Sequence, residues 1–168
     1  NVFVTLADER RVAADDPASN LRFLREAFAS NPASAAVLVA IDATSSDAAS
    51  RWNESIGKMP RPFAAVILGM GDDGHFASLF PGMPGLATAL DLSNTTTVVE
   101  GVAPVEPRAR LSLTLPILLD TDLLVLHVTG DSKLETLRRA SRPGNSLASP
   151  VRALLEQRRV PLEIYHAP

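Results

Sequence analysis

Phe63-Ala64-Ala65-Val66-Ile67-Leu68-Gly69-Met70-Gly71-Asp72-Asp73-Gly74-His75 is an apolar run that breaks into a glycine-rich turn carrying two carboxylates and an imidazole. Its first six residues read as a strand that is hydrophobic throughout, as expected for a parallel strand covered on both faces. Upstream, Val2–Leu6 and Ala36–Ile41 read as further strands. Between them Asp16 is placed as an N-cap ahead of Pro17, with Leu21, Leu24 and Phe28 following at helical spacing. Ala48, Trp52 and Ile56 lie four apart on one helix face that Gly57 and Pro60 end. Downstream, Pro81, Gly82, Pro84 and Gly85 punctuate a loop before a short helix at Leu86–Leu90. Thr95–Val99, Arg110–Leu115, Leu123–Val128 and Leu162–Tyr165 read as strands, and Ser132–Ala140 and Val151–Gln157 as helices. Strands alternating with helices imply an α/β sandwich with a mostly parallel sheet, one domain over residues 1–168. Ligands of such sheets bind at the carboxyl ends of strands. Ala7-Asp8-Glu9-Arg10, Gly69 to His75, and Thr129-Gly130 with Lys133 fall at such ends, and Arg110 enters a strand.

Composition narrows the function. The chain has 168 residues, 16 Lys+Arg against 19 Asp+Glu and a formal net charge of -3. That balance argues against nucleic acid or an anionic membrane as partner, each of which requires a basic patch. With no cysteine, disulfides, thiolate metal sites and cysteine nucleophiles are excluded, and the composition suits the cytoplasm. No apolar run is long enough to span a bilayer, and no signal-like segment opens the chain.

Gly69, Gly71 and Gly74 match the spacing of the dinucleotide fingerprint, but Asp72 and Asp73 would put carboxylates where a pyrophosphate has to sit. Pro81 and Pro84 also prevent a long helix from following. A catalytic turn is the other reading. Glycines allow close approach of a substrate, and Asp73, two residues from His75, can fix its tautomer and raise its basicity. A glycine turn with solvated charges fits the same spacing, and the local pattern leaves both open.

Leu68-Gly69-Met70-Gly71-Asp72-Asp73-Gly74-His75-Phe76-Ala77-Ser78-Leu79-Phe80-Pro81-Gly82 closely resembles the signature of the 6-phosphogluconolactonases. That signature runs Leu-Gly, a hydrophobe, Gly, any residue, Asp-Gly-His, any residue, Ala-Ser-Leu-Phe-Pro. Asp8-Glu9-Arg10 with Ser19-Asn20, Arg110-Leu111-Ser112-Leu113-Thr114-Leu115, and Thr129-Gly130-Asp131-Ser132-Lys133 resemble other segments of the family in order and spacing. The resemblance covers essentially the whole chain. It implies a three-layer Rossmann-like sandwich and hydrolysis of 6-phospho-D-glucono-1,5-lactone to 6-phosphogluconate in the oxidative pentose phosphate pathway, with no cofactor and no metal. It also implies a further strand, helix and Gly-Gly-Ser/Thr-Pro phosphate loop that the 168 residues do not include, so the sequence is expected to be N-terminally incomplete. A cytoplasmic monomer acting on a small sugar-phosphate lactone is expected.

On this reading His75 is the base, with Asp73 orienting it. Arg110 and Lys133 are candidates for the substrate phosphate, Arg10 is a third site cation, and Gly71 and Gly74 lie against the substrate, with unspecified backbone amides of the glycine loop available for an oxyanion. Asp8 and Glu9 are expected to shape the entrance or pair with Arg10. His127, inside a strand, reads as a satisfied core residue, and Trp52 as core. The related glucosamine-6-phosphate deaminases have a glutamate five residues after the histidine, where this chain has Phe80. A non-catalytic sugar-phosphate sensor would keep the phosphate cations but could dispense with Asp73 and His75.

Overall fold

The structure, a computed structural model, describes residues 2–168. Strands β1 (Phe3–Val4), β2 (Asp8–Arg10) and β3 (Val37–Leu38) share the first third of the chain with helices α1 (Asn20–Ala29) and α2 (Ala48–Gly57). Strand β4 (Val66–Gly69), helix α3 (Leu86–Leu90), strands β5 (Val98–Val102) and β6 (Ala109–Leu113) and helix α4 (Leu115–Leu118) form the middle. Strand β7 (Leu124–Thr129), helices α5 (Asp131–Ala140) and α6 (Val151–Glu156) and strand β8 (Leu162–Ala167) complete it.

β4, β7 and β8 make a parallel sheet, with Leu68 beside Leu126 and Gly69 beside His127. β1 and β3 form a second parallel pair. The strands are thus mostly parallel, as expected, and the departure is confined to β2, β6 and β5, which form a separate antiparallel sheet in that order. Chain length explains the departure. Only residues 103–108 join β5 to β6, and a parallel return needs a crossover of about a dozen residues or more.

Val66, Leu68, Leu124, Leu126 and Val128 turn into the core, where Trp52, Phe76 and Leu154 are also fully buried. Ala48, Trp52 and Ile56 form the buried face of α2, as their spacing predicts. The Trp52 indole N–H donates to Thr5 Oγ1 at 3.2 Å, which ties α2 to the chain after β1. The expectation that Phe63–Leu68 is covered on both faces fails. Burial alternates along β4, and Ile67 is 69% exposed.

The first helix also begins later than read. Ser19, not Asp16, is the N-cap, and Asp16 instead holds a turn by accepting from the Ala18 amide. The cap is completed from another element. Glu9, 2% exposed, accepts from Ser19 Oγ and from the amides of Asn20, Leu21 and Arg10 at 2.7 to 3.0 Å. These charged hydrogen bonds satisfy amides that a helix start leaves unpaired, and the carboxylate meets the positive end of the helix. Glu9 therefore fixes α1 on β2, whose next residue is Arg10. Removing it leaves buried donors unsatisfied. Glu9→Ala is expected to lower unfolding stability by about 3 kcal/mol, read from the urea midpoint at unchanged m-value.

Candidate active site

A cavity of about 540 Å³ opens where the carboxyl ends of β4 and β7 meet the antiparallel sheet. Gly69 reaches it from the end of β4, Gly71 and His75 from the loop that follows, and His127, Thr129 and Lys133 from β7 and the first turn of α5. Asp8, Arg10 and Arg110 form the opposite wall. Side chains two apart on a strand share a face. Asp8 and Arg10, opposite Ser112 and Arg110 in the β2–β6 register, therefore point to one side of that sheet. Glu9 points to the other, where α1 begins.

The loop after β4 folds around its own histidine. The Gly71 amide donates to His75 O at 2.9 Å and the Gly74 amide to Gly71 O at 3.0 Å. Asp73 Oδ1 accepts the His75 amide at 3.0 Å and lies 2.6 Å from His75 Nδ1. A carboxylate at that distance assigns the ring proton to Nδ1, leaving Nε2 as a free acceptor. A Cβ on Gly71 would overlap the imidazole and crowd Asp73 Oδ1, so glycine is required there by space. Gly74 is required by conformation as well, with φ 81° and Ser149 Oγ where a Cβ would go. Ala77 adopts φ 47°, a left-handed conformation unusual outside glycine, and also lines the cavity.

Three ties hold this loop. Asp72 accepts from Ser132 Oγ through Oδ1 and from Thr136 Oγ1 through its carbonyl, both at 3.0 Å, which fastens it to α5. Gly74 O accepts the Val151 amide at 2.8 Å at the start of α6. Ser78 Oγ donates to Asp8 Oδ2 at 2.6 Å, and the Ser78 amide donates to Ser112 Oγ. Phe76 and Leu79, fully buried, anchor the stretch between. The Phe80 ring lies 4.3 Å from that of His75, tilted by 43°.

The opposite wall is electrostatically costly. Arg10 and Arg110 stand directly across from each other, and like charges at that position destabilise a sheet. Arg10 spreads its charge onto Ala18 O and Asn20 Oδ1, both at 2.7 Å. Arg110 is only 5% exposed, and its Nη1 has no hydrogen-bond partner. Burial, and then the charge of Arg10, pulls the Arg110 guanidinium below its ordinary value. Burial also raises the Asp8 carboxyl above its ordinary value, against the Ser78 hydrogen bond and the charges of Arg10 and Arg110. A buried, unpartnered guanidinium beside a second cation is a site that an anion would complete.

The structure brings His75, Asp73, Gly71, Arg10, Arg110 and Lys133 to one place. Asp73 stands behind His75 rather than in the cavity wall. Gly74 does not line the cavity and serves the turn instead, and its amide and that of Gly71 are engaged within the loop. The Arg10 guanidinium bonds to neither Asp8 nor Glu9, although the Glu9 carboxylate accepts the Arg10 amide. His127 is exposed in the cavity rather than satisfied in the core. Asp8, Ser112 and Asn20 gain importance that the sequence reading did not assign. The alternation Asp8-Glu9-Arg10 was the available signal, since it puts the outer pair on one face.

The space argument for Gly71 has a direct consequence. Gly71→Ala is expected to displace the His75 ring and break its contact with Asp73. The His75 ring resonances should shift, while the melting temperature falls only modestly.

The family described as glucosamine-6-phosphate isomerases/6-phosphogluconolactonase matches residues 1–162. A 6-phosphogluconolactonase of Pseudomonas putida is 40% identical, the alignment covering 99% of this chain and 69% of that protein. One of Caulobacter vibrioides is 42% identical over 99% of this chain and 72% of its own length. The crystal structure of a 6-phosphogluconolactonase from Shewanella baltica superposes with a TM-score of 0.90 at 35% identity, covering 99% of this chain and 72% of the other. With the match running through both the Gly69–His75 turn and the Arg10 and Arg110 strands, the chain belongs to the glucosamine-6-phosphate isomerase/6-phosphogluconolactonase family.

Proposed function

We propose that this chain hydrolyses 6-phospho-D-glucono-1,5-lactone to 6-phosphogluconate, a step of the oxidative pentose phosphate pathway. The observation that carries the reading is the 2.6 Å contact of Asp73 Oδ1 with His75 Nδ1, in a cavity shared with Arg10, Arg110 and Lys133. A lactone is an internal ester, so its hydrolysis needs an activated water and stabilisation of a tetrahedral oxyanion. His75 Nε2 takes a proton from water as the water oxygen bonds to the lactone carbonyl carbon. Asp73 stabilises the resulting imidazolium. When the carbon–ring-oxygen bond breaks, the same proton passes from Nε2 to the departing oxygen, leaving a carboxylic acid that ionises at neutral pH. The amides of Gly71 and Gly74 are engaged inside the turn, so the oxyanion takes its contacts from other groups.

The substrate phosphate is a dianion remote from the reacting carbon. The orphaned Nη1 of Arg110, with Lys133, supports placing the phosphate against these cations, and Arg10 adds to the same field. On this reading residues 1–168 act within one domain, and the enzyme works as a monomer. The reading implies a cytoplasmic enzyme. No helix among the described residues is long and apolar enough to cross a membrane. Deaminase chemistry is disfavoured because Phe80, an apolar ring against His75, occupies the place of the glutamate that reaction requires. A sensor that only binds would have no need of the Asp73–His75 contact.

Lactone hydrolysis assayed with and without His75→Ala tests the reading. The substitution is expected to lower kcat about 10²- to 10⁴-fold while 6-phosphogluconate still binds, and a rate near that of the unaltered protein would overturn the role of His75. For Arg110→Met, loss of one buried charged contact predicts a KM raised about 10- to 100-fold for the phosphorylated lactone. The unphosphorylated lactone should be affected far less.

A further inference from the structure

We infer that His127 is a further substrate-binding residue, donating a hydrogen bond to the substrate phosphate alongside Lys133; the inference deepens the reading above and rests on it. His127 lies on β7 and lines the same cavity as His75, exposed within it. Its partner in the parallel register is Gly69, which has no side chain, and a Cβ there would meet nothing within 4 Å. The space beside the His127 ring on the β4 side is therefore open. Thr129, two residues on and sharing its face, also lines the cavity, and the chain then turns at Gly130 into α5, whose first turn carries Lys133. One strand–turn–helix unit thus delivers an imidazole, a hydroxyl and an ammonium to one wall. His127 makes no side-chain hydrogen bond to any described residue, in contrast to His75, whose Nδ1 is held by Asp73. No carboxylate orients it as a base. What remains is a donor facing a cavity whose walls also carry the cations Arg10, Arg110 and Lys133. A neutral or protonated imidazole N–H suits a phosphate oxygen, and the reach beyond Lys133 would discriminate phosphorylated from plain sugar lactones.

The experiment compares the unaltered protein with His127→Ala and His127→Gln, each first checked for an unchanged melting temperature. Steady-state kinetics with the phosphorylated and unphosphorylated lactones are set beside calorimetric binding of 6-phosphogluconate and of gluconate. The expected result is a KM for the phosphorylated lactone raised about tenfold in His127→Ala, corresponding to loss of one hydrogen bond to a charged group. The value of kcat should stay within twofold, 6-phosphogluconate binding should weaken to the same degree, and the amide donor of His127→Gln should restore most of the loss. An unchanged KM, a fall confined to kcat, or an equal loss for the unphosphorylated ligands would overturn the inference. Failure of the unaltered protein to hydrolyse either lactone would instead count against the proposed function. In that case 6-phosphogluconate binding by the two variants still decides the role of His127.

Discussion

One carboxylate oxygen, Oδ1 of Asp73, accepts the backbone N–H of His75 and lies against its ring. Ring orientation and turn conformation are thereby set by the same atom. This works only if nothing occupies the space above Gly71, and only if Gly74 takes a left-handed conformation to bring the chain round. The turn is therefore a small closed structure in which each residue's chemistry is a condition for the next. Its placement is equally determined, because α5 holds Asp72, α6 holds Gly74, and the antiparallel sheet holds Ser78. The loop has the restraint of an element without the periodicity of one. For a proposed base that must meet a water and a carbonyl carbon in one geometry, such restraint matters more than mobility.

The opposite wall follows a different logic. Two arginines face each other across β2 and β6, and Asp8 stands half-buried beside them. In a purely structural setting this arrangement lowers stability, since both desolvation and like-charge repulsion act against it. The fold offsets the cost elsewhere. Glu9, one residue from each of Asp8 and Arg10, anchors the strand to α1 with three hydrogen bonds. Alternation along three residues thus separates two tasks. The outward pair carries the charge of the site, and the inward residue supplies the stability that holds it in place. An anionic ligand would relieve the repulsion directly, which is why the wall is better understood as half of a complex than as a finished surface.

The legible parts of the sequence were those governed by local rules. The Gly69–His75 turn follows a strand whose buried residues announce it, and α2 shows its core face through Ala48, Trp52 and Ile56. Misreadings arose where a distant residue decides the outcome. Ser19 became the cap because Glu9 completes it from ten residues away, and nothing near Asp16 in sequence reports that. The antiparallel sheet could have been foreseen from the short link between β5 and β6, but only by weighing connection length against the expected parallel plan. His127 was misplaced for a simpler reason. The apolar run Leu123–Val128 suggested that His127 belongs to the core, whereas the observed burial alternates and sends His127 outward with Thr129. Ile67 on β4, opposite Val125 in the register, departs from the expectation in the same way.

These two errors share a cause that bears on the site itself. A continuous apolar run signals a strand covered on both sides, yet β4 and β7 have one face lined by Ile67 and His127 and open to the cavity side. The polar residues that break the pattern, His127 and Thr129, fall near the carboxyl end of β7, where parallel sheets place their ligands. A polar residue near the carboxyl end of an otherwise apolar parallel strand is thus informative in a way that the same residue at mid-sheet is not. There the strand no longer needs to fill a core, and the side chain is free to serve whatever occupies the crevice. Gly69 and His127, side by side in the register, divide the work accordingly, the one by leaving room and the other by offering a donor.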